Sequence, residues 1–136
     1  MATTRVFGKQ ETAAKIKTIT AATTLTSSDS GKVIILNAAA GKVVTLPSVA
    51  IAGFNVKVIV GAAFATTNFT VVAPTAKIQG GAIVNSTFVA GADENTISFV
   101  ASAETVGDYI EIVSDGTNFY ANGVGALAGS VTFTAV

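Results

Sequence analysis

The sequence predicts an all-β domain, an antiparallel β-sandwich or barrel-like fold with an extended N-terminal arm. Three observations carry that expectation. Threonine and valine are abundant, with 19 and 18 copies among 136 residues, and branched side chains suit a pleated, half-buried surface. From Ile16 onward, short β-prone runs recur every 8–12 residues or so between clusters of Gly, Asn, Asp, Pro and Ser, as in sandwiches and barrels. No helical period of apolar residues competes with them.

Residues 1–17 are polar and carry four of the eight bases, with Val6, Phe7 and Ile16 as their only large apolar groups beyond the initial Met. They read as an extended arm, and residues 18–136 as one β domain. Val33-Ile-Ile-Leu36 is apolar on both faces, which suits a central strand or one beneath a contact between subunits. Val43-Val-Thr-Leu46 ends at Pro47, which has no N–H to continue a ladder. Phe54-Asn-Val-Lys-Val-Ile-Val60 alternates, with residues 54, 56, 58 and 60 on one face, and Thr96-Ile-Ser-Phe-Val100 turns Ile97 and Phe99 inward. In Gly107 to Gly123, Ile110 and Ile112 alternate, Asp115-Gly116 turns the chain and Phe119 returns inward, a hairpin signature. Gly123-Val-Gly-Ala-Leu-Ala-Gly129 reads as a loose connector, and Val131-Thr-Phe-Thr-Ala135 as a last strand that could pair with a neighbouring subunit. Asp29-Ser-Gly-Lys-Val33 and Ala40-Gly-Lys-Val43 echo one another as turn-to-strand entries, without amounting to an internal repeat.

Half of the residues are hydrophobic and only 12% are charged, about half the usual charged share of ~25%. A folded chain of this mass exposes about 6,600 Å², so its surface is sparsely charged and suited to partners. The formal net charge is zero, but all eight bases lie at or before Lys77. Residues 1–77 hold eight bases and two acids, for +6, whereas residues 78–136 hold six acids and no base, for −6. If the two halves separate in space, contacts between identical subunits gain electrostatic steering; if their strands interleave, the field cancels. The chain begins without an apolar signal-type segment, and no apolar run approaches the ~20 residues of a membrane span. The expectation is synthesis in the cytoplasm without export, and no membrane partner.

The sequence contains no His and no Cys, so a Ser–His–Asp triad and a thiolate nucleophile are excluded. Carboxylate pairs remain formally open through Asp93, Glu94, Glu104, Asp108, Glu111 and Asp115, yet Asp93, Glu94, Asp108 and Asp115 sit in turn-like contexts where short acids serve the backbone. Ser114 to Asn118 and Gly91 to Asn95 could offer oxygens to a hard cation, but neither has the spacing of a helix-loop-helix calcium site. Gly31-Lys32 and Gly41-Lys42 lack the remainder of a phosphate loop and read as turns. The sequons at Asn68 and Asn85 matter only in a secreted protein. Phe54, Phe64, Phe69, Phe88, Phe99, Phe119 and Phe133 read as core rather than as platforms for nucleic-acid bases. No cofactor, catalytic or metal site is expected, and the chain reads as a non-enzyme. The arm is the one basic cluster. It reads as docking on an acidic protein surface, with a structureless tail and a nucleic-acid contact as alternatives.

The succession Leu25-Thr-Ser-Ser-Asp-Ser-Gly-Lys-Val33, then Leu36-Asn-Ala-Ala-Ala-Gly-Lys-Val-Val-Thr-Leu-Pro47, then Gly107-Asp-Tyr through Ser114-Asp-Gly to Phe119-Tyr120, resembles small virion proteins of tailed bacteriophages, among them capsid decoration (cement) proteins and head-fibre modules. The resemblance spans roughly residues 20–123 and rests on the phrasing of turns and strands. It implies a homotrimer on the outer surface of a phage head, bound to the major capsid protein and reinforcing the shell, without nucleic acid as partner. By analogy it makes the arm the anchor, with Arg5, Phe7, Lys9, Lys15 and Lys17 gripping the capsid. The alternative is a carbohydrate- or receptor-binding module of a tail fibre or spike, which the absence of Trp and the presence of only Tyr109 and Tyr120 weaken. A bacterial surface protein is disfavoured by the missing export signal.

Overall fold

A computed structural model describes residues 15–48, 51–75 and 77–136. Within them lie twelve strands: β1 (Ile16–Ile19), β2 (Thr23–Thr24), β3 (Lys32–Leu36), β4 (Val43–Thr45), β5 (Asn55–Val60), β6 (Phe69–Val72), β7 (Lys77–Val84), β8 (Thr87–Glu94), β9 (Thr96–Phe99), β10 (Tyr109–Ser114), β11 (Asn118–Gly125) and β12 (Val131–Thr134). The helical content described is one 3-10 turn, Ser27–Asp29. The strands form a wide sheet, ordered β1-β3-β5-β10-β11-β7-β8, and a narrow one, ordered β12-β9-β6-β4-β2. The all-β expectation holds, and the sheets pack as a sandwich around a single core.

Strand direction is where the structure departs from the expected antiparallel arrangement. Five pairings are antiparallel, but β1 with β3, β3 with β5, β2 with β4, β4 with β6, and β11 with β7 run parallel. Parallel neighbours need a crossover connection. In the first four of these the crossover is a strand of the opposite sheet: the chain passes from the wide sheet to the narrow one at β1 to β2, returns at β3, and repeats the passage through β4, β5 and β6. The first half is therefore wound as three coils of a two-sheet solenoid. Hairpin alternation cannot reveal this, because inward and outward positions alternate identically in either direction.

The second half closes the last coil, β10 pairing antiparallel with β5 and β9 with β6. The expected hairpin forms as β10 and β11. Asp115 starts its turn, and Gly116 adopts φ 92°, a conformation that side-chain-bearing residues rarely take. A second hairpin, β7 and β8, turns at Asn85 and Ser86, both with positive φ (47° and 64°), the signature of a type I′ turn. The stretch expected as a loose connector from Gly123 is partly strand, since β11 runs through Gly125.

Inward side chains of both sheets fill one core. From the wide sheet come Ile34, Val58, Ile78, Ile110 and Phe119, and from the narrow one Val44, Phe69, Val71, Ile97 and Phe99, all fully buried. Phe64 meets Phe69 edge to face at 5.0 Å between ring centres. A Cβ on Gly91 of β8 would strike the Phe133 ring of β12, so glycine lets the margins of the two sheets meet there. Next to the Asp29 turn, the Asp29 carboxylate is buried between Lys17 and Lys32, at 3.1 and 3.0 Å. Burial alone would raise its pKa; the hydrogen bonds it accepts from the Thr26 N–H, Lys32 and Lys17 outweigh that and hold it below the usual carboxylate value.

The charge asymmetry of the sequence is also an asymmetry in space. Among the described residues, the wound half, β1 to β6, holds Lys15, Lys17, Lys32, Lys42 and Lys57 with Asp29, five bases against one acid, for +4. The closing half holds Lys77 with Asp93, Glu94, Glu104, Asp108, Glu111 and Asp115, one base against six acids, for −5. Strands of the two halves lie side by side in each sheet rather than alternating.

Candidate interaction surface

Alternation along each strand decides what each sheet shows to the outside. On the wide sheet, register aligns Thr18, Ile35, Ile59, Tyr109, Val124, Ile83 and Phe88 in one row across all seven strands. A second row runs Ile16, Val33, Lys57, Glu111 and Asn122, and a third Asn55, Val113, Tyr120 and Gln79. Ile16, Ile83, Phe88, Val113, Tyr120 and Val124 are all exposed there, Ile16 at 63% and Phe88 at 60%. Of these, Ile83, Phe88 and Val124 are direct neighbours in the first row.

The narrow sheet presents different chemistry. One outer row is Thr24, Thr45, Val72, Thr96 and Thr134, and the other Val43, Thr70, Ser98 and Thr132, with Thr96 and Ser98 of β9 buried. Of these nine residues only Val43 is an exposed large apolar side chain.

A cleft of about 310 Å³ indents the wide face, lined among others by Gly31, Val33, Lys57, Glu111, Tyr120 and Asn122. Two contacts organise it. The Lys57 ammonium lies 3.9 Å from Glu111 Oε1 and 4.4 Å above the centre of the Tyr109 ring, so one cation serves a carboxylate and an aromatic face. The Tyr120 hydroxyl donates to Asp115 Oδ2 at 2.9 Å, which fixes the phenol at the margin. Asp115 Oδ1 accepts the N–H groups of Thr117 and Asn118, both at 2.7 Å. These bonds, those of Asn118 and Thr117 ahead of that of Tyr120, hold the Asp115 carboxyl below its ordinary pKa.

Asp115 thus serves its turn, as its sequence context implies. Asp93 accepts from the Gln79 amide at 2.6 Å. Among the described residues no three acids gather as a metal site would require. No helix among them is long and apolar enough to cross a membrane.

The expected arm is partly visible. Arg5, Phe7 and Lys9 lie outside the described residues. Lys15 is exposed, and its carbonyl accepts the Val33 N–H at 2.7 Å. Ile16 and Lys17 already belong to β1, and the Lys17 ammonium is held by Asp29. Of the seven phenylalanines read as core, six are buried and Phe88 is not. Its register opposite Ile83 places it outward, on the edge strand of the wide sheet. The wide face itself went unread in the sequence, because Ile83, Phe88 and Val124 become one surface only after β7, β8 and β11 pair.

No family model, no curated protein and no solved structure matches this chain.

Proposed function

We propose that this chain is a structural, non-enzymatic module of a bacteriophage particle, a decoration protein that binds the outer surface of the head and stabilises it. The observation that carries the reading is the wide face: a sandwich with six exposed large apolar side chains on one sheet is built to be covered by protein. The resemblance of its turn-and-strand phrasing to phage virion proteins supplies the context. In this reading residues 1–15, with Arg5, Phe7 and Lys9, anchor the domain to the major capsid protein, and many copies of a short arm make modest contacts cumulative. A cut after residue 14 spares both β1, which begins at Ile16, and the Lys15 carbonyl that accepts the Val33 N–H.

The test is co-sedimentation of the full chain, and of a chain lacking residues 1–14, with phage heads stripped of this protein. The full chain is expected to bind and the truncated one to stay in solution with an unchanged melting temperature; equal occupancy of both would overturn the anchoring role.

The cleft supports a second reading, a carbohydrate-binding module of a tail fibre or spike, because Tyr120 stands beside Asn55, Asn122 and Glu111. Glycan-array binding that is lost in Tyr120→Ala would favour it over the first.

A further inference from the structure

We infer that the outer face of the wide sheet is covered by the same face of a second copy, related by a two-fold axis that runs along the strands between β5 and β10. The inference rests on the reading of the chain as a self-associating structural module, but not on the identity of the particle.

The argument starts from where the charges sit. Across the two rows nearest the middle of the sheet, twelve residues in all, the only charged side chains are Lys57 and Glu111. They are direct cross-strand neighbours on β5 and β10, third and fourth in the seven-strand order. They bracket the midline closely. Turning a second copy about an axis between these two strands sets Lys57 of each copy over Glu111 of the other, and two half-satisfied pairs become a ring of four alternating charges.

Within one chain the pair is loose, 3.9 Å apart with the side chains 40% and 52% exposed, so both partners retain bonding capacity. The same rotation lays the apolar row on itself: Ile59 meets Tyr109, Ile35 meets Val124, and Thr18 meets Ile83. Hydrophobic side chains would then bury against hydrophobic side chains along most of the row, and aligned packing of two twisted sheets is a common solution.

The size is adequate. Seven strands about 4.8 Å apart and three rows of outward residues give a face of roughly 600 Å² in projection. Side-chain relief raises the accessible area above that, toward the ~800 Å² per partner of a stable interface. The narrow sheet offers no such match, since seven of the nine residues in its outer rows bear hydroxyls and the rows hold no charge pair.

A two-fold pairing predicts an even number of copies, in place of the three that the family resemblance implies. The experiment is mass measurement in solution, by light scattering after gel filtration, of the full chain, of Lys57→Glu, of Glu111→Lys and of an equimolar mixture of the two variants. The full chain is expected to run as a pair. Each variant places like charges opposite one another and should weaken pairing at least tenfold, while the circular-dichroism spectrum of the folded β chain is retained. The mixture should recover the pair, because the Lys57→Glu chain brings two carboxylates to the midline and the Glu111→Lys chain brings two ammonium groups to meet them.

Thr132→Lys on the narrow face serves as the control and should leave the mass as it was. A monomeric full chain, a mass of three copies, or variants that pair as the full chain does would each overturn the two-fold contact. None of these results bears on head binding by the arm, which co-sedimentation reads separately.

Discussion

The two outer faces of the sandwich are built by the same alternation over the same core, yet they differ in nearly every physical respect. The wide face is seven strands across and carries isoleucine, valine, tyrosine and phenylalanine in register, with one ion pair near its middle. The narrow face is five strands across and carries threonine, serine and valine of nearly equal size. Threonine gives the branched shape that a strand favours while its hydroxyl remains compatible with water. A sheet can thus be strand-forming without being adhesive. The difference teaches that strand propensity and surface chemistry are separate choices, and that this chain makes them oppositely on its two sides.

The largest expected effect comes from removing what both faces share. Phe99→Ala empties a fully buried site and should cost about 3–5 kcal/mol, a large part of a usual stability of about 5–15 kcal/mol. Calorimetric melting checks this, and loss of less than ~1 kcal/mol would mean that the two sheets do not depend on one another.

Next is the buried carboxylate beside the Asp29 turn. Asp29→Asn should cost roughly 1–2 kcal/mol at neutral pH, through weakened charge-assisted bonds to two lysines that remain partly in water. Because the folded pKa of Asp29 is lowered, its contribution is complete above the unfolded value of about 3.9 and fades as pH falls through the lower folded value. Chemical denaturation at pH 7 and again at pH 2 should show the gap between the two proteins shrinking in acid.

A smaller effect separates the faces directly. Ile83→Ser with Phe88→Ser on the wide face should change stability by less than about 1 kcal/mol while reducing binding of a hydrophobic dye at dilutions that separate the pairs. Thr70→Val on the narrow face should raise that binding. Equal dye binding by all three proteins would erase the contrast.

The smallest expected change is local. Ser86→Gly relieves a φ of 64° and should stabilise the β7–β8 hairpin by roughly 0.5–1 kcal/mol, read from the midpoint of urea unfolding.

Strands with strict alternation were legible in the sequence. Val56, Val58, Ile97, Phe99, Ile110 and Phe119 all face the core as their spacing requires. The Asp115-Gly116 turn was legible because its residue types carry their backbone preference with them. The β7–β8 hairpin was not. Its turn lacks glycine, and its first strand contains Gly80 and Gly81, which read as punctuation rather than as strand. Parallel winding was hidden because direction leaves no trace in a period of two. Of the candidate arm residues, Lys15 and Lys17 lie within the described residues, and Lys17 is committed to Asp29, a partner twelve residues away that no local pattern indicates. The wide face arises from separate segments of chain, so no single window contained it.

The winding of the first half has a consequence for how this chain could change length. Each coil takes its register from the coil beside it, through β1 on β3 on β5 and β2 on β4 on β6. Only the last is closed, by β9 and β10. Such a stack is modular: a further turn inserted before β5 would find a ladder waiting on either side and leave the closing half untouched. Growth by whole coils would widen both faces together, so a lineage could tune its contact area by copying about twenty residues at a time.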